Sequence, residues 1–260
     1  VIYLNGKYAK QDITKAIKLL TKSSNQNNPY SQFNLGFLYE KGKGVTVNIE
    51  KAIHYYLLSA YQKYSEAQFA LGRIYLFGIH VPNDLKKATH FLTLAANQND
   101  SYAQLYLGFF NYLTIDGEKS IKDSFEWLIQ ASKNGNIYAH FYVGYLYHEG
   151  NSLIERDIRK AIQYYKEGSS FNDQFSKNNL GIIYKNGYEN EIPKNVQLAI
   201  EYFEEAIKKD NDILSIYNLA NIYMYDEDFK DDEKSIDLLL MAFDKNFIQS
   251  QNLLCISLVK

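Results

Sequence analysis

With 260 residues, 46% of them hydrophobic, 22% charged and only 3 of them proline, the chain is long and apolar enough to fold around its own core without staples. A formal net charge of −2 leaves no broad cationic field of the kind that phosphate backbones demand, which speaks against nucleic acid and anionic membrane as partners. One cysteine, Cys255, excludes an intrachain disulfide and a Cys-rich zinc site. A reducing compartment fits best, the cytoplasm first, with the endoplasmic-reticulum lumen or secretion into a host cell as alternatives. No run of 18 apolar residues is present to span a membrane.

In chain order, residues 1–30 read as a partial repeat opening on Val1, as if cut from a longer polypeptide. The first full unit covers 31–66. It predicts one helix from Ser31 to about Lys41, a link Gly42-Lys43-Gly44, and a second helix from Ile49 to about Tyr61, each with apolar residues at i, i+3, i+4 and i+7. The pair recurs over 67–102, 103–138, 139–175, 176–214 and 215–249, and residues 250–260 begin another. A small residue on the first helix marks the beat at Gly36, Gly72, Gly108, Gly144 and Gly181, then Ala220 and Cys255, at intervals of 36, 36, 36, 37, 39 and 35. A second small-residue track keeps step at Ala16, Ala52, Ala88, Ser124, Ala161, Ala199 and Ser235, and a third seven residues later from Ser23 to Ala242.

Self-similarity at this period is the mark of a stacked repeat array. The expected fold is all-α: a right-handed α/α superhelix of helix-turn-helix units of about 36 residues, one solenoid over 1–260. A glycine inside a helix costs about 1 kcal/mol against alanine, and close approach of packed helices is the natural compensation. Tyrosines three residues after the glycine, at Tyr39, Tyr75, Tyr147, Tyr184 and Tyr223, fall on the face that meets the partner helix and read as core filler.

The run from Ser31 to Val45, followed by Asn48 to Ala52 and by Tyr55-Tyr56, closely resembles the Sel-one-like repeat family, a relative of the tetratricopeptide repeat. Similar units begin at Ala67, Ala103, Ala139, Ser176 and Ser215, so the resemblance spans the chain. It implies a solenoid whose first helices line a concave groove, a role as adaptor or scaffold in protein complexes, and no catalytic residues or cofactor. Two units depart from the pattern. The third has Asn111 and Thr114 in place of Tyr and Gly, and the sixth replaces the glycine link by the acidic stretch Asp226–Glu233; both predict differently shaped connectors.

The remaining polar residues fall at spacings that do not suit catalysis or metal binding. His54 and His90 share one slot with Glu126, Gln163, Glu201 and Asp237, a solvated helix face. His140 and His148 lie eight residues apart, about 12 Å along a helix, too far to share a metal. The stretch Asp226–Glu233 lacks the glycine and spacing of a calcium loop, and Cys255 occupies a small core slot. Gly42-Lys43-Gly44 follows a helix where a phosphate loop follows a strand. No metal ligand, cofactor site or catalytic set emerges.

In tetratricopeptide-like units the residue after the glycine faces the groove. Carried over by resemblance, that gives Phe37, Arg73, Phe109, Tyr145, Ile182 and Asn221, with Glu40, Phe69, Leu105, Tyr112, Phe141, His148, Lys185 and Tyr217 as neighbours. The ladder is aromatic at its centre and polar towards both ends, which suits an extended peptide or a helix of a partner protein. The competing reading has Phe69, Phe141 and Tyr217 packing between successive repeats. Other functions weighed are an RNA-binding helical repeat and a regulatory repeat domain of a larger enzyme or degradation complex. Bare apolar helix faces at the two ends would also permit an end-to-end homodimer.

Overall fold

The computed structural model describes residues 12–114, 118–188, 191–243, 247–250 and 254, the side chains at 111–114, 118–120 and 209–210 excepted. Among them helices follow one another as α1 (Ile13–Ser24), α2 (Pro29–Lys41), α3 (Ile49–Ala60), α4 (Ser65–Phe77), α5 (Leu85–Ala96), α6 (Ser101–Thr114), α7 (Glu118–Lys133), α8 (Ile137–Glu149), α9 (Ile158–Ser170), α10 (Gln174–Asn186), α11 (Val196–Asp210), α12 (Ile213–Tyr225) and α13 (Asp232–Phe243). The fold is all-α, made of helix-turn-helix repeats. Even-numbered helices are the first of each repeat and odd-numbered ones the second. The chain divides into two compact units, 1–136 with α1 to α7 and 137–260 with α8 to α13.

Short polar side chains decide where the helices begin. Asp12, Asn48, Asp84, Asp157 and Asn195 each accept a hydrogen bond from the backbone N–H three residues on, at the start of a second helix. Asn28, Asp173 and Asp212 do the same for α2, α10 and α12. Such a cap satisfies a donor that the helix leaves orphaned. The first repeat's helix therefore starts at Pro29, two residues before the expected Ser31: Asn28 caps it and proline is preset for the first helical position. At the far end Gly42 takes up a left-handed conformation, with φ of 64°, so the link is a helix connector as expected. In the sixth repeat the corresponding residue is Asp226, in extended conformation, which is how the acidic connector differs.

A further periodic signal lies in the backbone of the turns. Asn27, Lys63, Asn99, Gly135, Asn172 and Asn211 all have positive φ, each in the turn that leads into a first helix. Asparagine and glycine tolerate that region best, and these residues keep the repeat's beat.

The glycine track lies where helices of one hairpin cross. A Cβ built on Gly36 would stand 2.7 Å from the Tyr56 ring and 3.1 Å from the carbonyl oxygen of Ala52. Gly72 and Gly108 lie equally close to Leu92 and Leu128, Gly144 to Tyr165, and Gly181 to Phe203 at 2.5 Å. A large side chain of the second helix thus occupies the space that glycine vacates, and the small track of the second helix lets the backbones close up. From Ala52 to Ser235 that track is buried to within 1%.

Hairpins are joined differently in the two units. In the first, Gln68 donates to the carbonyl of Ala60 at 3.1 Å and accepts from Gln98 at 2.7 Å, and Gln104 likewise bonds Ala96 and Asn134 at 3.0 and 2.9 Å. Each buried glutamine ties the end of one second helix to the end of the next. In the second unit Asn178 accepts from Ser215 and Asn218, and Lys177, paired with Glu205 of its own hairpin at 3.3 Å, donates to Asn172 at the end of the preceding hairpin at 2.6 Å. The rhythmic tyrosines are half-buried: Tyr39, Tyr147 and Tyr184 stack on Tyr55, Tyr164 and Tyr202 of the adjoining second helix, at 5.8 to 5.9 Å. Lysine ammonium groups cover several of their outer faces, as Lys51 does over Tyr39 at 5.3 Å.

The seam predicts a sharp cost for a single methyl group. Gly181→Ala should lower stability by about 1–3 kcal/mol, read as a fall in urea midpoint. Adding Phe203→Leu should recover part of the loss, because the ring is what the methyl meets.

Candidate protein-interaction face

Neighbouring repeats place their first helices side by side, so residues at equal repeat positions form columns within each unit. In the first unit Phe37 is half-buried with the Lys43 ammonium 5.2 Å above its ring. Phe69 packs against Tyr102 and Tyr106 of the next repeat at 6.1 and 5.5 Å, and Phe77 meets Tyr106 edge-on at 5.7 Å. Phe109 is half-buried; the side chain of Tyr112 lies outside the described residues.

In the second unit Phe141 lies at the centre of a cluster, 5.6 Å from Phe175 and 6.3 Å from Tyr145. Tyr145 is 43% exposed, Phe175 42% and Tyr138 53%, so the rings form a wall open to solvent. Ile182, Lys185, Tyr217 and Asn221 are half-buried. Tyr217 rests edge-on against Phe247 at 5.6 Å, and Asn221 donates to the Tyr217 carbonyl at 2.8 Å. Burial lowers the Lys185 pKa, against the pull of Asp226.

Three of the residues expected in the groove are interior. Leu105 is buried. Glu40 accepts hydrogen bonds from Tyr56 at 2.9 Å and from Arg73 of the next repeat at 2.6 Å, with Lys41 a further 2.7 Å partner. His148 is buried, with Nε2 2.6 Å from the Tyr188 hydroxyl and Nδ1 without a partner; burial lowers its pKa. One turn beyond the groove position, the side chain swings towards the neighbouring hairpin and joins it. Arg73 is drawn into the same pair.

Conversely, a column six residues before the glycine was missed: Tyr30, Tyr102, Tyr138, Phe175 and Leu214 are all exposed. Their signal was present on the same beat. It lies one helical turn before the nearest groove candidates, Phe69, Leu105, Phe141 and Tyr217.

A family model described as Sel1 repeat matches residues 1–28, 29–64, 65–100, 101–136, 137–170, 175–211 and 213–247. The chain belongs to the Sel1 repeat family. A Sel1 repeat protein from Oxalobacter formigenes is 30% identical, with a TM-score of 0.77 over 93% of this chain and 93% of that one. A protective antigen of uropathogenic Escherichia coli strains, displaying an SLR fold, gives a TM-score of 0.88 at 22% identity and covers 97% of this chain. This chain spans 54% of that antigen's length. No curated protein matches.

The histidines and acids singled out in the sequence are dispersed in this Sel1 repeat chain. His54, His90, Glu126, Gln163, Glu201 and Asp237 are exposed on second helices, and His140 lies 3.4 Å from Glu167. Asp226 pairs with Lys194 at 3.1 Å and Asp231 with Lys234 at 3.0 Å. Among the described residues no three His, Cys, Asp or Glu side chains converge as metal ligands, and no helix is long and apolar enough to cross a membrane. Cys255 lies outside the described residues.

Glu40 gives this arrangement a pH signature. Burial works to raise its pKa, but the hydrogen bonds from Lys41, Arg73 and Tyr56 outweigh it and hold the carboxyl below its ordinary 4.5. A depressed folded pKa stabilises the fold above the unfolded value, and that contribution disappears as pH falls from about 4.5 through the folded value. Glu40→Gln should cost about 2 kcal/mol at neutral pH, and urea unfolding of the variant should lose this part of the acid sensitivity.

Proposed function

We propose that the chain is a non-catalytic scaffold that holds a segment of a partner protein, an extended peptide or a helix, against its first helices. The observation that carries this reading is the aromatic wall of the second unit, where Tyr145 and Phe175 stand exposed against Phe141 and Tyr138 is exposed one turn earlier on the same helix. Aromatic side chains give large contact area for few frozen torsions and supply most interface hot spots. Phe77 and Tyr102 offer a similar exposed pair in the first unit. Phe37, Phe109, Ile182, Tyr217, Asn221 and Lys185 flank these anchors. Two groups with perturbed protonation, Glu40 and His148, are buried in contacts between repeats, which supports structural and not catalytic roles for them. Membership of the Sel1 family, whose repeats commonly mediate protein contacts, supports the same reading.

Affinity capture from cell extract followed by titration of the purified partner tests it. Tyr138→Ala with Tyr145→Ala, and separately Phe77→Ala with Tyr102→Ala, should keep the helical circular dichroism spectrum. At least one pair should weaken binding tenfold or more, about 1.4 kcal/mol. Unchanged binding in both folded variants would place the contact elsewhere.

A further inference from the structure

Charge is divided unequally between the two units. Residues 1–136 carry 15 Lys and Arg against 10 Asp and Glu, whereas residues 137–260 carry 13 against 20. Formal charges of about +5 and −7 result, opposite in sign and hidden in the chain's net −2. Second helices show it most clearly. On α1, Lys15, Lys18 and Lys22 fall at i, i+3 and i+7, all exposed, and the helix has no acidic residue. One face of the helix is a cationic strip about 10 Å long at 1.5 Å per residue.

In the second unit α11, α12 and α13 enclose an open groove of about 540 Å³. Its floor is apolar, formed by Ile207, Leu219, Leu238 and Met241, and Glu204 and Asp237 stand on opposite rims. Glu201 and Glu233, exposed on the same two helices, extend the acidic rims. Of the two lysines lining the groove, Lys234 is neutralised by Asp231 at 3.0 Å, leaving Lys208 as the opposing cation. Among the described residues Glu201, Glu204, Glu233 and Asp237 have no ion-pair partner within 4 Å.

We propose that this groove docks helix α1 of a second copy of the chain. The methylene stems of Lys15, Lys18 and Lys22 would lie along the apolar floor while their ammonium groups reach the acidic rims. Complementary charge selects the partner: the chain's own basic unit supplies what its acidic groove lacks. Each copy carries one strip and one groove, so the contact joins unlike surfaces and either propagates or closes as a reciprocal pair. Its charged groups all lie on second helices, and the variants that test it leave Tyr138, Tyr145, Phe77 and Tyr102 untouched, so it stands or falls separately from partner binding at those aromatic residues.

Sedimentation of the 260-residue chain tests the idea. In about 20 mM salt the mean mass should exceed that of one chain and rise with concentration, and in about 500 mM salt it should return to one chain, because exposed charges are then screened. A head variant, Lys15→Glu with Lys18→Glu and Lys22→Glu, should sediment as single chains, as should a groove variant, Glu201→Lys with Glu204→Lys and Asp237→Lys. An equimolar mixture of the two should associate again, since the acidic head of one now faces the basic groove of the other. A wild-type chain that stays single in low salt overturns the proposal. So does association that survives either reversal, or a mixture of folded variants that fails to complement. Where a triple reversal disturbs helical content, Lys18→Gln and Glu204→Gln each still have to weaken association, by about fivefold or more.

Discussion

Everything in this chain depends on how closely the two helices of a hairpin approach. A glycine on the first helix and an alanine or serine on the second remove the Cβ bulk that would keep them apart, and one large side chain, Tyr56, Leu92, Leu128, Tyr165 or Phe203, fills the notch. The glycines weaken the helices that contain them. Packing of that side chain against a bare backbone offsets the loss. Steric fit at this notch recurs in every glycine-bearing hairpin, whereas polar bonds across the pair differ from repeat to repeat, and the notch can hold Tyr, Leu or Phe without changing the repeat.

Once hairpins form, their polar side chains have two tasks: starting helices and joining neighbours. Asn and Asp do the first, by accepting from the backbone three residues on. Joining is done by different chemistry in each unit. Neutral glutamines do it in the first, where each amide has both a donor and an acceptor to satisfy, and Asn178 with Lys177 does it in the second. Glu40 with Arg73, and His148 with Tyr188, are further links of this kind. Protonation is shifted at both links, by hydrogen bonds that lower the Glu40 pKa against its burial and by burial itself at His148. A perturbed carboxylate or imidazole here marks a joint in the array.

Function is left to whatever the packing does not consume. On first helices that remainder is aromatic, concentrated on Tyr138, Phe141, Tyr145 and Phe175. On second helices it is charge, basic on α1 and acidic on α11 and α13. One surface offers contact area and the other long-range attraction, and the two proposed contacts draw on these different remainders.

Period, fold class and the buried small-residue tracks were legible in the sequence, because the spacing of Gly36, Gly72, Gly108 and Gly144 answers to a steric demand that repeats with the helices themselves. The rhythmic tyrosines pack on the face that meets the partner helix, half-buried and, at Tyr39, Tyr147 and Tyr184, stacked on a second ring. Tertiary structure alone decided which residues near the glycine face outward. Position along a helix gives an angle, but only the neighbouring hairpin determines whether that angle meets solvent or protein. Glu40 and His148 therefore turn inward to meet the next repeat and Leu105 is buried, while the column led by Tyr30, Tyr102 and Tyr138 stays exposed.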